Sequence, residues 1–195
     1  MRKIFIVAFL TFCTINSFCQ TLTLEEFKKE AELSGLHFEM PIGYTIKAVK
    51  ENGDLQYSFA IINSERTMEV RYSLFPMKEM LAEYEKSKKT PNAVMINPNK
   101  LHNAIMSANG LNMTSGKDVN IGDFPPQAVK EEFNADYGGS SFFEFNCEFG
   151  KGYKYGQCVC LHKENVADVL ITFMSNDKGT HSDLMEIPFH SLTFK

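Results

Sequence analysis

The most pointed chemistry in this chain lies in Cys158-Val159-Cys160-Leu161-His162, where two thiols and an imidazole recur at every second position. Side chains of a strand alternate between its faces, so all three share one face if the run is extended. Cys147 lies one hairpin upstream and can join them, giving a Cys147, Cys158, Cys160, His162 set of the type zinc or cuprous ion accepts. Spacing weighs against a metal. Cys158 and His162 are about 13 Å apart along an extended strand, too far to reach one ion without a bulge. A thiol nucleophile, Cys160 with His162 as base, meets a similar difficulty, because two residues along a strand separate their Cα atoms by about 7 Å. The plainer reading takes precedence: a disulfide from Cys147 to Cys158 or Cys160, with one buried thiol left over. No cofactor is expected.

The other reactive side chains are dispersed. His37, His102, His181 and His190 show no metal-ligand spacing and read as surface or hydrogen-bonded core histidines. Asp123, Glu131, Glu132 and Asp136 cluster in sequence, but the last three sit on or beside a short helix, where a solvated face accounts for them. The glycine-rich stretch Gly150-Lys151-Gly152-Tyr153-Lys154-Tyr155-Gly156 lacks a Gly-Lys-Ser/Thr ending and opens no helix, so it is not a phosphate loop. As a hairpin tip it presents Lys151, Tyr153, Lys154 and Tyr155 for contact. Finally, Gln56, Ser58, Glu69, Arg71, Ser73, Glu144, Asn146 and Glu148 alternate with apolar neighbours. If their strands share a sheet, they form a polar face centred on Arg71, with Glu69 beside it, either solvated or a groove partly roofed by helices in which Arg71 holds a carboxylate or a partner's acidic group.

The elements that must position these residues follow from periodicity. Thr23 and Glu26 form a capping box for a helix over Leu24–Leu33, stopped by Gly35. A turn at Pro41-Ile42-Gly43 leads to a short strand, Tyr44–Val49, and Asn52-Gly53 signals a hairpin turn. Two alternating runs follow, with Leu55, Tyr57, Phe59 and Ile61 on one side of the first and Met68, Val70, Tyr72 and Leu74 on one side of the second. Helices are predicted over Met77–Lys88, from Asn97-Pro98 onward, and over Pro126–Ala135, the last stopped near Gly138-Gly139, with a loop at Ser115–Gly122. Strands at Phe142–Phe149, Tyr153–His162 and Val166–Met174, a helix around Ser182–Ile187 and a strand Ser191–Phe194 complete the chain. This order predicts one α+β domain, a mainly antiparallel sheet with helices packed on it.

Phe38-Glu39-Met40-Pro41-Ile42-Gly43-Tyr44, an apolar strand running into a Pro-x-Gly-aromatic turn, resembles the opening of the PsbP-like and Mog-like family. The run Met68-Glu69-Val70-Arg71-Tyr72 is similar to its hairpin. So are Phe133-Asn134-Ala135-Asp136-Tyr137-Gly138, the three-strand meander after it, and the closing Ser191-Leu192-Thr193-Phe194. The resemblance covers most of the chain after residue 19. It implies an α/β/α sandwich and an accessory role without catalysis, and no metal or partner site of that family maps here residue by residue.

Composition sets the outer limits. The chain has 195 residues, 44% apolar and 23% charged, with a formal charge of −4, which excludes a basic nucleic-acid binder and a disordered chain. No apolar run reaches the ~20 residues of a membrane-spanning helix. Arg2-Lys3, the apolar stretch Ile4–Phe12 and Ser17-Phe18-Cys19 read as a signal peptide over residues 1–19, followed by a single domain over residues 20–195. Export to the periplasm or beyond follows. The bulky Phe18 disfavours lipid anchoring at Cys19. The expected function is that of an exported binding or accessory protein of a bacterial envelope, working by surface contact with a protein or small ligand. A metal- or thiol-dependent protein is the alternative.

Overall fold

The computed structural model describes residues 21–195, so the expected signal peptide and Cys19 lie outside the described residues. Helix α1 (Leu24–Leu33) starts at the capping box: the Thr23 hydroxyl accepts from the Glu26 amide at 3.3 Å, and the Glu26 carboxylate accepts from the Thr23 amide at 2.8 Å. Gly35 follows in the left-handed region, φ +76°, where a Cβ would also meet Val166 Cγ1 at 2.5 Å. Strands β1 (Leu36–Phe38) and β9 (Leu192–Phe194) pair antiparallel and bring the two ends of the domain together.

The main sheet is antiparallel and seven-stranded, comprising β2 (Tyr44–Ile46), β3 (Phe59–Asn63), β4 (Met68–Pro76), β5 (Gly122–Asp123), β6 (Tyr137–Glu144), β7 (Tyr155–Lys163) and β8 (Ala167–Ser175). Its spatial order is β2-β3-β4-β8-β7-β6-β5. Helices α2 (Lys78–Ser87), α3 (His102–Met113), α4 (Pro126–Phe133) and α5 (His181–Met185) lie in the connections. The α+β class is as the sequence predicts. β8 is buried along its whole length, which means both faces of the sheet are covered.

One apolar layer holds Phe27, Phe38, Phe59, Tyr72, Leu161 and Phe173, with Phe27 stacked on Phe59 at 4.2 Å between ring centroids. The other holds Tyr57, Met106, Met113, Phe149, Cys158, Cys160 and Leu170, under α3. The two layers make the fold a sandwich about the sheet.

Three sequence expectations need correction. First, β3 begins at Phe59, and Leu55 and Tyr57 pack in the layer opposite Phe59 and Ile61 rather than beside them. The Asn52 side chain bends the chain there, accepting from the amides of Asp54 and Leu55 at 3.0 and 2.9 Å. Secondly, β6 runs over Tyr137–Glu144, not Phe142–Phe149. Its glycines belong to the strand because a Cβ on Gly138 would meet Val129 at 2.9 Å, and one on Gly139 would meet the Gly122 carbonyl at 3.2 Å. Helix α4 ends earlier, with Asn134 left-handed at φ +50°. Thirdly, the stretch predicted as a loop up to Gly122 ends in β5, paired with Gly139 and Ser140.

Candidate functional site: a histidine and carboxylate cluster under α3

Of the residues expected to form an open polar face, Gln56, Glu144, Asn146 and Glu148 are exposed and Ser58 is half-buried, whereas the three on β4 are enclosed on the α3 side of the sheet. Glu69 is fully buried, and Arg71 and Ser73 nearly so. The Arg71 guanidinium carbon sits 4.6 Å from the ring centroids of both Tyr57 and Phe149. Its Nε donates to Glu69 Oε1 at 2.6 Å and a terminal nitrogen donates to the Phe149 carbonyl. Lys47 caps the other carboxylate oxygen of Glu69 and donates to Tyr153 Oη at 3.0 Å. Burial opposes ionisation of Glu69, but Arg71, Lys47 and Tyr153 outweigh it and hold its carboxyl below the usual range. Arg71 therefore already holds a carboxylate from its own strand. The Arg71 groove of the sequence reading is filled by the chain itself.

The hairpin tip divides in two. Tyr153 is half-buried against Lys47, and Lys151 pairs with Glu148 at 3.4 Å in solvent. Tyr155 and Lys154 face elsewhere: the Lys154 ammonium lies 5.0 Å from the Tyr155 ring, which stacks on Phe142 at 5.9 Å. Phe142 remains 38% exposed, with Lys178 at 5.6 Å from its ring and His181 edge-on at 5.2 Å. Gln157, opposite Phe142 in the sheet, also lines a cleft of about 380 Å³ beside α5 with Asp183, Glu186 and Phe189.

The expected disulfide does not form, and Cys147, Cys158 and Cys160 are unpaired among the described residues. Register gives the reason. Cys158 lies opposite Ser141 and Thr172, and Cys160 opposite Gly139 and Leu170, while Cys147 falls beyond the end of β6. Burial pushes the Cys158 thiol up to about 12 and the Cys160 thiol well above its ordinary value, so neither is a thiolate near neutrality. Nor does the Cys/His metal set assemble, because His162 turns to other partners. The acidic cluster also disperses: Asp123 accepts from Tyr137 Oη at 2.8 Å, Glu131 from Gln127 at 2.8 Å and Asp136 from the Glu164 amide at 2.9 Å, while Glu132 lies 2.9 Å from His190.

What the fold does bring together is His102, His162 and Asp168. His162 on β7 and Asp168 on β8 are register partners across the turn after Lys163, and His162 Nδ1 lies 2.7 Å from Asp168 Oδ1. His102, the first residue of α3, stacks on His162 at 4.3 Å between centroids, and Tyr137 covers it at 4.6 Å. One nitrogen of each imidazole and one Asp168 oxygen lie within 4.8 Å of one another, the one group of this kind among the described residues. Burial, then the neighbouring His162, lower the His102 pKa, which keeps its imidazole neutral with a lone pair available. Two acceptor-capable atoms here, His102 Nδ1 and Asp168 Oδ2, are buried and have no hydrogen-bond partner among the described residues.

The sequence reading singled out His162 but gave His102 no role and passed over Asp168. A partial signal existed: a short turn at Glu164-Asn165 between two strands sets His162 against Asp168. Nothing in the sequence points to His102, which arrives through the packing of α3 on β7. No protein-family model matches the chain, and no curated protein matches it either.

Proposed function

We propose that this chain is an exported, non-enzymatic binding protein of a bacterial envelope that acts by surface contact. The observation that carries this reading is the Phe142–Tyr155 pair, two stacked aromatic rings at the surface, each with a lysine ammonium over it, beside the cleft at α5. Half-exposed aromatic rings held rigid by a sheet are the anchors on which protein interfaces concentrate their binding energy. Lys154 and Lys178 select a partner that places carboxylates beside an apolar side chain. The buried, protonated thiols count against the thiol-dependent alternative.

The test is capture from the native envelope with Phe142→Ala and with Lys154→Glu/Lys178→Glu. Both variants lose the partner that the wild type retains, with melting temperatures unchanged, because neither change touches the core. Equal capture by wild type and both variants overturns the reading.

A further inference from the structure

We propose that His102, His162 and Asp168 form a binding site for a divalent transition-metal ion of the zinc class, built into the sheet beneath α3. The ligand set is two imidazoles and one carboxylate. That chemistry suits zinc and its first-row neighbours, whereas calcium and magnesium require all-oxygen shells. Two of the three residues sit on adjacent strands in fixed register, and the third is the first residue of a helix resting on them. The donor atoms, within 4.8 Å of one another, must close to the roughly 3.3 Å separation set by bonds of about 2.0–2.1 Å to a tetrahedral ion. His102 supplies that adjustment, since it is the only one of the three that is not buried.

The purely structural alternative is a buried His–Asp pair. It accounts for His162 and Asp168 Oδ1 but leaves two atoms unexplained. Asp168 is 1% exposed, yet its Oδ2 has no donor among the described residues, and His102 Nδ1 is likewise buried there with no well-formed hydrogen bond. Buried polar atoms are almost always satisfied, and the others without a partner among the described residues, Ser58 Oγ, Ser141 Oγ and His181 Nε2, belong to no group of metal-ligating side chains. These two atoms belong to the same three-residue group, which is what a cation shared between them requires. Three protein ligands leave one tetrahedral position for water or a ligand atom. This inference does not rest on the surface-contact reading, because the cluster and the Phe142–Tyr155 patch share no residue.

The full chain, untagged and stripped with chelator, is titrated with Zn²⁺ by calorimetry and with Co²⁺ by visible absorption. The wild type takes up one equivalent of Zn²⁺ and shows the intense bands of tetrahedral Co²⁺, and Zn²⁺ raises its melting temperature. His102→Ala and Asp168→Asn each weaken Zn²⁺ binding by about 100-fold or more and abolish the Co²⁺ bands. His102→Ala keeps the test valid if the buried variant fails to fold. His190→Ala, which removes the exposed histidine paired with Glu132, leaves the site unchanged. Three results overturn the proposal: no uptake by the wild type, equal binding by wild type and His102→Ala, or loss of binding in His190→Ala. No uptake would leave the two atoms to an ordinary hydrogen-bonding molecule, and either of the other two results would place the ion elsewhere on the chain.

Discussion

Two polar clusters are buried under the same face of the sheet, toward opposite ends of its strands, and they are finished differently. In the Glu69–Arg71 cluster both carboxylate oxygens have donors and the guanidinium is clamped between two rings. In the His102–His162–Asp168 cluster one carboxylate oxygen and one ring nitrogen are left without a partner among the described residues. The first is closed and serves the fold; the second has capacity to spare. Residue type alone would have suggested the reverse, since an arginine opposite acidic positions looks more like a binding site than a scattered histidine.

The contrast is broken most directly by Arg71→Ala, which leaves the buried Glu69 carboxylate with Lys47 as its remaining cation and lowers stability by about 3 kcal/mol in urea unfolding. Glu69→Leu with Arg71→Met removes both charges and restores most of that loss. Asp168→Asn in ion-free protein, by comparison, changes stability by about 1 kcal/mol, because only one hydrogen bond is at stake. Equal losses at the two ends would erase the distinction.

A pH series separates the histidines from Glu69. Burial lowers the His181 pKa below its ordinary 6.5, and burial with His162 lowers that of His102. The unfolded chain therefore binds protons that the native one refuses, so stability is fully present above pH 6.5 and declines as pH falls below it. His181→Gln removes part of that slope. Glu69, held below its ordinary 4.5, adds a second decline only once pH falls below that value. A stability profile flat from pH 7 to pH 5 would contradict the buried, neutral histidines. The smallest effect is chemical rather than energetic. Thiol titration of a chain spanning residues 20–195 finds three reactive cysteines when it is denatured, and in the native protein Cys158 and Cys160 stay unlabelled because burial keeps them protonated.

Local pattern determined much of this protein. The capping box of α1, the left-handed Gly35, the alternation of Met68, Val70 and Tyr72, and the α+β class are all legible because each depends on residues close in sequence. The same locality placed Cys158, Cys160 and His162 on one face of one strand. Tertiary structure decided what that face meets. The start of β6 at Tyr137 depended on how closely β5 and α4 approach Gly138 and Gly139, and it carried Cys147 beyond any cysteine partner. Glu69 and Arg71 became interior because Tyr57 and Phe149, distant in sequence, close over them. His102 reached His162 through the seating of a helix on the sheet. Alternation tells which side chains share a face, but only packing determines whether that face sees water, a ring or another charge.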